Sequence, residues 1–186
     1  EGELGKQLDS LADVVTSGVV PGIVIYKLLQ TKNTIEIFNT EVVSWKTKEI
    51  ELLPFFGLLF TLAAAYRLAK FNIDERQTSS FIGLPTPAAT LVVLSLPLIL
   101  NYSSLQFATT LIENKWFLII LTVVLSFLMN AEIPLFSLKF KDYSWKNNKV
   151  KFVFLILTIA LVIGLQFLAI PIVIIVYVLM SLFYKQ

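Results

Sequence analysis

Asp9 and Asp13 stand four residues apart near the start of this 186-residue chain, and Gly5 stands four residues before them, in the string GKQLDSLAD. On an α-helix that spacing forms one stripe with about 6 Å of rise between neighbours. Two acids one turn apart can share a divalent cation, or divide the work of ligand and general base. Oxygen ligands in a chain with no His and no Cys point to Mg²⁺, Mn²⁺ or Ca²⁺ rather than zinc. Gly5 leaves clearance on the stripe for a bulky ligand or a neighbouring backbone. The competing reading is that both acids complement the positive end of a helix and stay in interfacial water. Against it, Asp13 is followed by VVTSGVVPGIVIY, and an ionisable group near membrane depth is costly enough to mark function.

The rest of the composition narrows the chemistry. Hydrophobic residues make up 56% of the chain and charged ones 15%, with a mean hydropathy of +0.79. Soluble domains run to about half apolar and about a quarter charged, so the chain reads as an integral membrane protein. The net charge of +2, carried by scattered lysines, excludes nucleic acid as a partner. Without Cys there is neither a disulfide framework nor thiol chemistry, and without His any catalysis rests on carboxylates, Lys, Tyr or Ser.

A bilayer core needs roughly 20 apolar helical residues, fewer where flanking residues snorkel. Six stretches qualify: residues 8–29, 52–71, 87–100, 116–131, and two that share the run from Val150 to Tyr184. That run is too long for one span and divides near Gly164 to Phe167. The third is short and contains Pro97, while Ala63, Ala64 and Ala65 in the second suit close helix packing. The expected fold is all-α, a polytopic transmembrane helix bundle of about six spans forming a single domain over residues 1–186. Polar connectors are expected at residues 30–51, 72–86, 101–115 and 132–149. Trp45, Trp116 and Trp145 with Tyr26, Tyr102, Tyr143 and Tyr184 read as interfacial anchors.

Orientation follows from Lys and Arg, which are enriched in cytoplasmic loops. Ten of the fifteen fall on one side if the start of the first span is inside, namely Lys6, Arg67, Lys70, Arg76, five between Lys139 and Lys151, and Lys185. That places Asp9 and Asp13 at the cytoplasmic face. The Lys139–Lys151 connector reads as an anionic-lipid contact.

The string from Gly5 to Asp13 is GxxxDxxxD, and it resembles the second half of the signature of the CDP-alcohol phosphatidyltransferases, DxxDGxxAR followed by GxxxDxxxD. The wider GKQLDSLADVVTSGVVPG, with RLAKFN at residues 67–72 and FIGLPTPAA at residues 81–89, resembles the phosphatidylserine synthase branch of that family. The likeness is strongest over residues 5–89. DxxDGxxAR is absent, so the resemblance implies an N-terminally truncated chain, about eight spans in the complete protein, and inactivity of this piece alone.

By that resemblance Asp9 is a metal ligand, Asp13 both a ligand and the general base, and Gly5 and Asp9 line the lipid-donor and nucleotide site. The implied reaction moves a phosphatidyl group from CDP-diacylglycerol to L-serine with Mg²⁺ or Mn²⁺, in the inner (cytoplasmic) membrane of a bacterium. It leaves room for a homodimer. Arg67, Asn72, Ser79, Ser80 and Gly83 are the candidates for phosphate or serine binding. For Arg67 and Lys70 the alternative is snorkelling to headgroups, for Asn72 a helix cap, and for SSFIGLPTPAA a plain interfacial turn. Glu132 and Pro134 read as a helix end. Rival functions are a sibling transferase taking glycerol phosphate or inositol phosphate, and a cation-coupled transporter.

Overall fold

The computed structural model describes residues 2–30, 52–73, 81–136 and 144–183. Ser79, Ser80, Arg76, Trp45, Tyr143, Tyr184, Lys139 and Lys141 lie outside them, as does most of the connector expected at residues 30–51. The described residues form an all-α helix bundle with one very short strand pairing.

Each of the six apolar stretches becomes helix. The first is α1 (Glu3–Val14), a π-helical turn (Val15–Val19) and α2 (Val20–Gln30) in one continuous rod. The second opens with a 3-10 turn (Leu53–Gly57), started by Pro54, and continues as α3 (Leu58–Ile73). Next come α4 (Thr86–Tyr102), α6 (Lys115–Asn130), α7 (Trp145–Leu165) and α8 (Ala169–Phe183). By length and apolarity three runs can cross a membrane, residues 3–30, 53–73 and 148–183, with a fourth when a bent helix pair is taken as one. The six-span expectation therefore holds for helix positions, but three to four runs rather than six qualify as spans, because α4, α6 and α8, at 17, 16 and 15 residues, are each short of a full crossing alone.

The division of the last run is visible in its packing. Gln166 has φ 49°, a left-handed conformation that stops α7, and a 3-10 turn leads into α8. Were the run straight, Phe154 and Tyr177 would lie about 34 Å apart. Their ring centroids are 5.7 Å apart, so α7 and α8 fold back as a hairpin. Phe136 completes the cluster at 5.8 Å from Phe154 and 5.0 Å from Tyr177, and its carbonyl accepts a hydrogen bond from the Tyr177 hydroxyl at 2.9 Å. Only 6% of the most apolar window in this run is buried, which sets the hairpin at the lipid-facing rim.

The expected polar connector at residues 101–115 is instead α5 (Gln106–Glu113), an amphipathic helix with Ala108 and Ile112 buried four residues apart. It meets α6 at 79°, and the Asn114 side chain caps α6 by accepting from the backbone N–H of Trp116 at 2.9 Å. Apolar spacing in QFATTLIE overrides the loop signals on either side.

The first rod packs antiparallel on α3 at backbone distance. Gly18 and Gly22, spaced as GxxxG, face Ala64 and Thr61, and a Cβ on Gly22 would overlap the Thr61 hydroxyl. A Cβ on Gly57 would sit 2.6 Å from the Gly22 carbonyl oxygen. Ala64, from the small-residue patch, is fully buried in this seam.

One short pairing closes the end of the bundle that carries Asp9 and Asp13. β1 (Phe81–Ile82) runs antiparallel to β2 (Pro134–Leu135), with Phe81 opposite Leu135. Gly83 N–H donates to the Ile133 carbonyl at 2.9 Å and Leu84 N–H to that of Leu128 at 2.8 Å. Gly83 has φ 73°, and a Cβ there would lie 2.5 Å from the Met129 carbonyl oxygen. Gly83→Ala should therefore cost about 2 kcal/mol or more, from backbone strain and overlap together. Gly164→Ala, where a Cβ meets nothing within 4 Å, should be neutral or stabilising. Thermal unfolding of both variants in detergent checks the contrast.

Candidate active site

The GxxxDxxxD stripe lies on α1. A Cβ built on Gly5 meets nothing within 4 Å, so the clearance expected beside the acids is present. Asp9 is exposed and Asp13 half-buried. Neither makes a hydrogen bond or ion pair among the described residues, and both keep their carboxylate oxygens for a ligand.

Asn72, at the end of α3, accepts a hydrogen bond from the Ser10 hydroxyl at 3.0 Å. That contact joins the carboxylate helix to the RLAKFN block. With Gly18 against Ala64, it fixes an antiparallel register in which each step forward on α1 is a step back on α3. Asp13 then stands level with Ala69, within a turn of both Arg67 and Lys70.

Arg67 and Lys70 face another way, toward α6. They line a small cleft with Ile82, Met129, Asn130 and Ala131, of about 10 Å³, room for about one water. Lys70 pairs with Glu132 at 3.3 Å, a half-exposed contact of the kind that contributes at most about 1 kcal/mol. Arg67 is 7% exposed, and no group among the described residues accepts a hydrogen bond from its Nε. Asn130 donates from Nδ2 to the Ala63 carbonyl at 3.1 Å and to that of Ser126 at 3.0 Å, which leaves its Oδ1 buried without a donor. Arg67 Nε and the Asn130 carboxamide oxygen, both buried and without a hydrogen-bond partner among the described residues, are thus the unmatched polar atoms beside this cleft.

Gly83 makes a close backbone approach to the end of α6, a wall of this cleft. Asn72 binds Ser10 and does not cap its own helix through that bond. Glu132 ends α6 as expected and also holds Lys70. Asn130 was missed; an amide at the end of an apolar span was the available signal. Thr61 and Thr90, which hold backbone carbonyls of the π-turn, carried none.

Among the described residues no three acidic groups come together as a metal cage. Two carboxylates one turn apart nevertheless suit Mg²⁺ or Mn²⁺, which commonly take one or two protein carboxylates and complete their shell with water and substrate phosphate.

A sequence model of the family described as CDP-alcohol phosphatidyltransferase matches residues 1–128. The chain belongs to the CDP-alcohol phosphatidyltransferase family. The CDP-diacylglycerol–serine O-phosphatidyltransferase of Bacillus subtilis (strain 168) is 33% identical over 99 residues, 50% of this chain and 45% of the relative. That of Helicobacter pylori (strain ATCC 700392 / 26695) is 32% identical over 173 residues, 90% of this chain and 62% of the relative. The archaetidylserine synthase of Methanothermobacter thermautotrophicus is 32% identical over 108 residues, 58% of this chain and 39% of the relative. The chain thus spans between about two fifths and three fifths of these curated relatives. The matched region takes in all three motif blocks, the carboxylate stripe on α1, the end of α3 and the Gly83 clamp.

A buried, unpaired guanidinium destabilises a fold unless a ligand answers it. Arg67→Met should raise the thermal midpoint of the detergent-solubilised full-length protein by a few degrees while removing any stabilisation by added carboxylate or phosphate. A lower midpoint would show that Arg67 is satisfied within the fold.

Proposed function

We propose that the protein carrying this chain transfers a phosphatidyl group from CDP-diacylglycerol to the hydroxyl of L-serine, releasing CMP. The observation that carries the reading is the stripe of two uncommitted carboxylates on α1, joined to the end of α3 by the Ser10–Asn72 bond, in a member of this family whose α3 also buries Arg67 on its α6 side. The names of the curated relatives support serine as acceptor.

In this mechanism Asp9 and Asp13 hold the divalent ion, which when bound supplies charge neutralisation to the pyrophosphate and to the departing CMP. Gly5 leaves room for the nucleotide end of the donor. Asp13 accepts the proton of the serine hydroxyl as its oxygen forms a bond to the lipid-proximal phosphorus. The P–O bond to CMP breaks as that bond forms, and CMP leaves with the electron pair. Asp13 is taken as the base because it lies one turn deeper in the rod and is the less exposed of the two. Arg67 binds the acceptor's carboxylate beside the Gly83 turn; Ser79 and Ser80, outside the described residues, remain candidates for serine binding from their place in the sequence.

Charge favours serine over a phosphorylated alcohol. Lys70 is engaged by Glu132, so among the described residues the cleft offers a single uncommitted cation, suited to a carboxylate of charge −1 rather than a phosphate approaching −2. The distribution of Lys and Arg supports a reaction at the cytoplasmic face of the membrane, which this reading takes to be a bacterial inner membrane.

In the full-length protein, Asp13→Asn should abolish phosphatidylserine and CMP formation while CDP-diacylglycerol still binds. A chelator should remove activity, and Mg²⁺ or Mn²⁺ should restore it. Labelled serine with CDP-diacylglycerol reads both products together; retained turnover in Asp13→Asn refutes the base assignment, and product from glycerol phosphate but not serine refutes the acceptor.

A further inference from the structure

We propose that Thr61 and Thr90 are positioning residues: their hydroxyls hold the π-turn at residues 15–19, and the turn rotates Asp9 and Asp13 into the site. The inference rests on the role given above to those two carboxylates. A π-turn bonds i to i+5 and so takes up one residue more than an α-turn. The Ser17 carbonyl accepts from the Thr90 hydroxyl at 2.9 Å, a buried bond between α4 and the first rod. The Gly18 carbonyl accepts from the Thr61 hydroxyl at 3.0 Å, from α3. Two adjacent carbonyls of the turn are thus held by side chains of two different helices. Thr16 sits in the same turn, its hydroxyl bonded to the Ala12 carbonyl at 3.0 Å.

The extra residue matters for direction. At about 100° per residue, a straight α-helix would set Ser10 about 80° from Gly18 and about 120° from Gly22. Gly18 and Gly22 must face α3, so Ser10 would then miss Asn72. Taking up one residue in the π-turn removes about 100° and leaves Ser10 within about 20° of each glycine. The observed Ser10–Asn72 bond is what that rotation predicts. In the same frame Asp13 moves from about 180° away from Gly22, the side turned from α3, to about 80°. Its half-buried state agrees.

The 186 residues contain no Cys, so Ser10→Cys with Asn72→Cys gives a clean cross-link once any other cysteines of the full-length protein are replaced. With mild oxidant in membranes, Thr90→Val and Thr61→Val should each slow disulfide formation several-fold, and Thr→Ser at either site should restore it. In the enzyme with Ser10 and Asn72 intact, the valine variants should lower kcat about tenfold or more and leave the KM for CDP-diacylglycerol within about twofold. Deleting Val15, which is 56% exposed, removes the extra residue while keeping the phase of α1 against α2. In that background the cross-link should form at the wild-type rate with either valine variant present, even where the variant alone does not fold. Wild-type cross-linking in a folded valine variant, or loss of the cross-link on deleting Val15, overturns the proposal. Slowed cross-linking with unchanged kcat would leave the threonines as holders of the turn and refute the placement of the carboxylates in the reaction.

Discussion

The approach of the first membrane rod to α3 is limited by backbone atoms rather than side chains. At Gly22 and Gly57 there is no space for a Cβ, and at Gly18 one would lie 3.3 Å from Ala64 Cβ. In lipid, where helices gain little from apolar burial alone, such close contact supplies dispersion and fixes rotation. A helix locked this way presents one face to its neighbour and no other. Everything attached to the rod inherits that rotation, including the carboxylate stripe a few residues earlier. The π-turn reconciles two demands that one straight helix could not meet, a glycine face toward α3 and a Ser10 contact with the end of the same helix.

The polar end of the bundle is built on similarly inflexible terms. The Gly83 turn is clamped to the end of α6 by two backbone hydrogen bonds and a Cβ-free contact, so the cleft around Arg67 has walls that cannot readily swing. Beside that cleft the fold buries Arg67, whose Nε has no acceptor among the described residues. An unmatched buried charge is retained against its cost in stability, and an anionic ligand is the economical explanation for it. Asn130 points the same way, since both donors of its amide nitrogen are used to brace helices while its oxygen is left to the cleft.

Much of this was legible in the residues. Apolar length gave the helices, and a largely apolar run of thirty-five residues from Val150 forced a division that Gln166 carries out. The Gly5, Asp9, Asp13 stripe declared itself by spacing, because helical geometry is local. What was not legible depends on partners distant in sequence. Asn130 looks like a helix-end residue until α3 lies beside it, and Thr61 and Thr90 look like ordinary residues of apolar helices. No residue pattern in VTSGV announces an i to i+5 turn; its stability comes from hydroxyls 43 and 73 residues away. The α5 helix was hidden by turn-forming neighbours, although its own apolar spacing was present.

Glu132 shows how a residue outside the motif blocks can serve the site. Asp13 stands level with Lys70, so an ion pair between them would be an available way for the fold to satisfy both. Lys70 instead reaches the end of α6 and pairs with Glu132, 62 residues away in sequence. The pair is half-exposed and adds little to stability, so its consequence lies elsewhere. With its ammonium group occupied by Glu132, Lys70 makes no ion pair with the α1 carboxylates. A carboxylate pair already neutralised by lysine would have to surrender that partner before binding a metal, and the exchange would weaken the metal by the energy of the broken pair. With Lys70 tied back, Asp9 and Asp13 would meet the divalent cation of the proposed mechanism as two uncommitted anions. Arg67 is buried and turned toward the α6 side of α3, and among the described residues nothing accepts from its Nε. The two charges that the chemistry needs are thus kept apart by the helix that positions both.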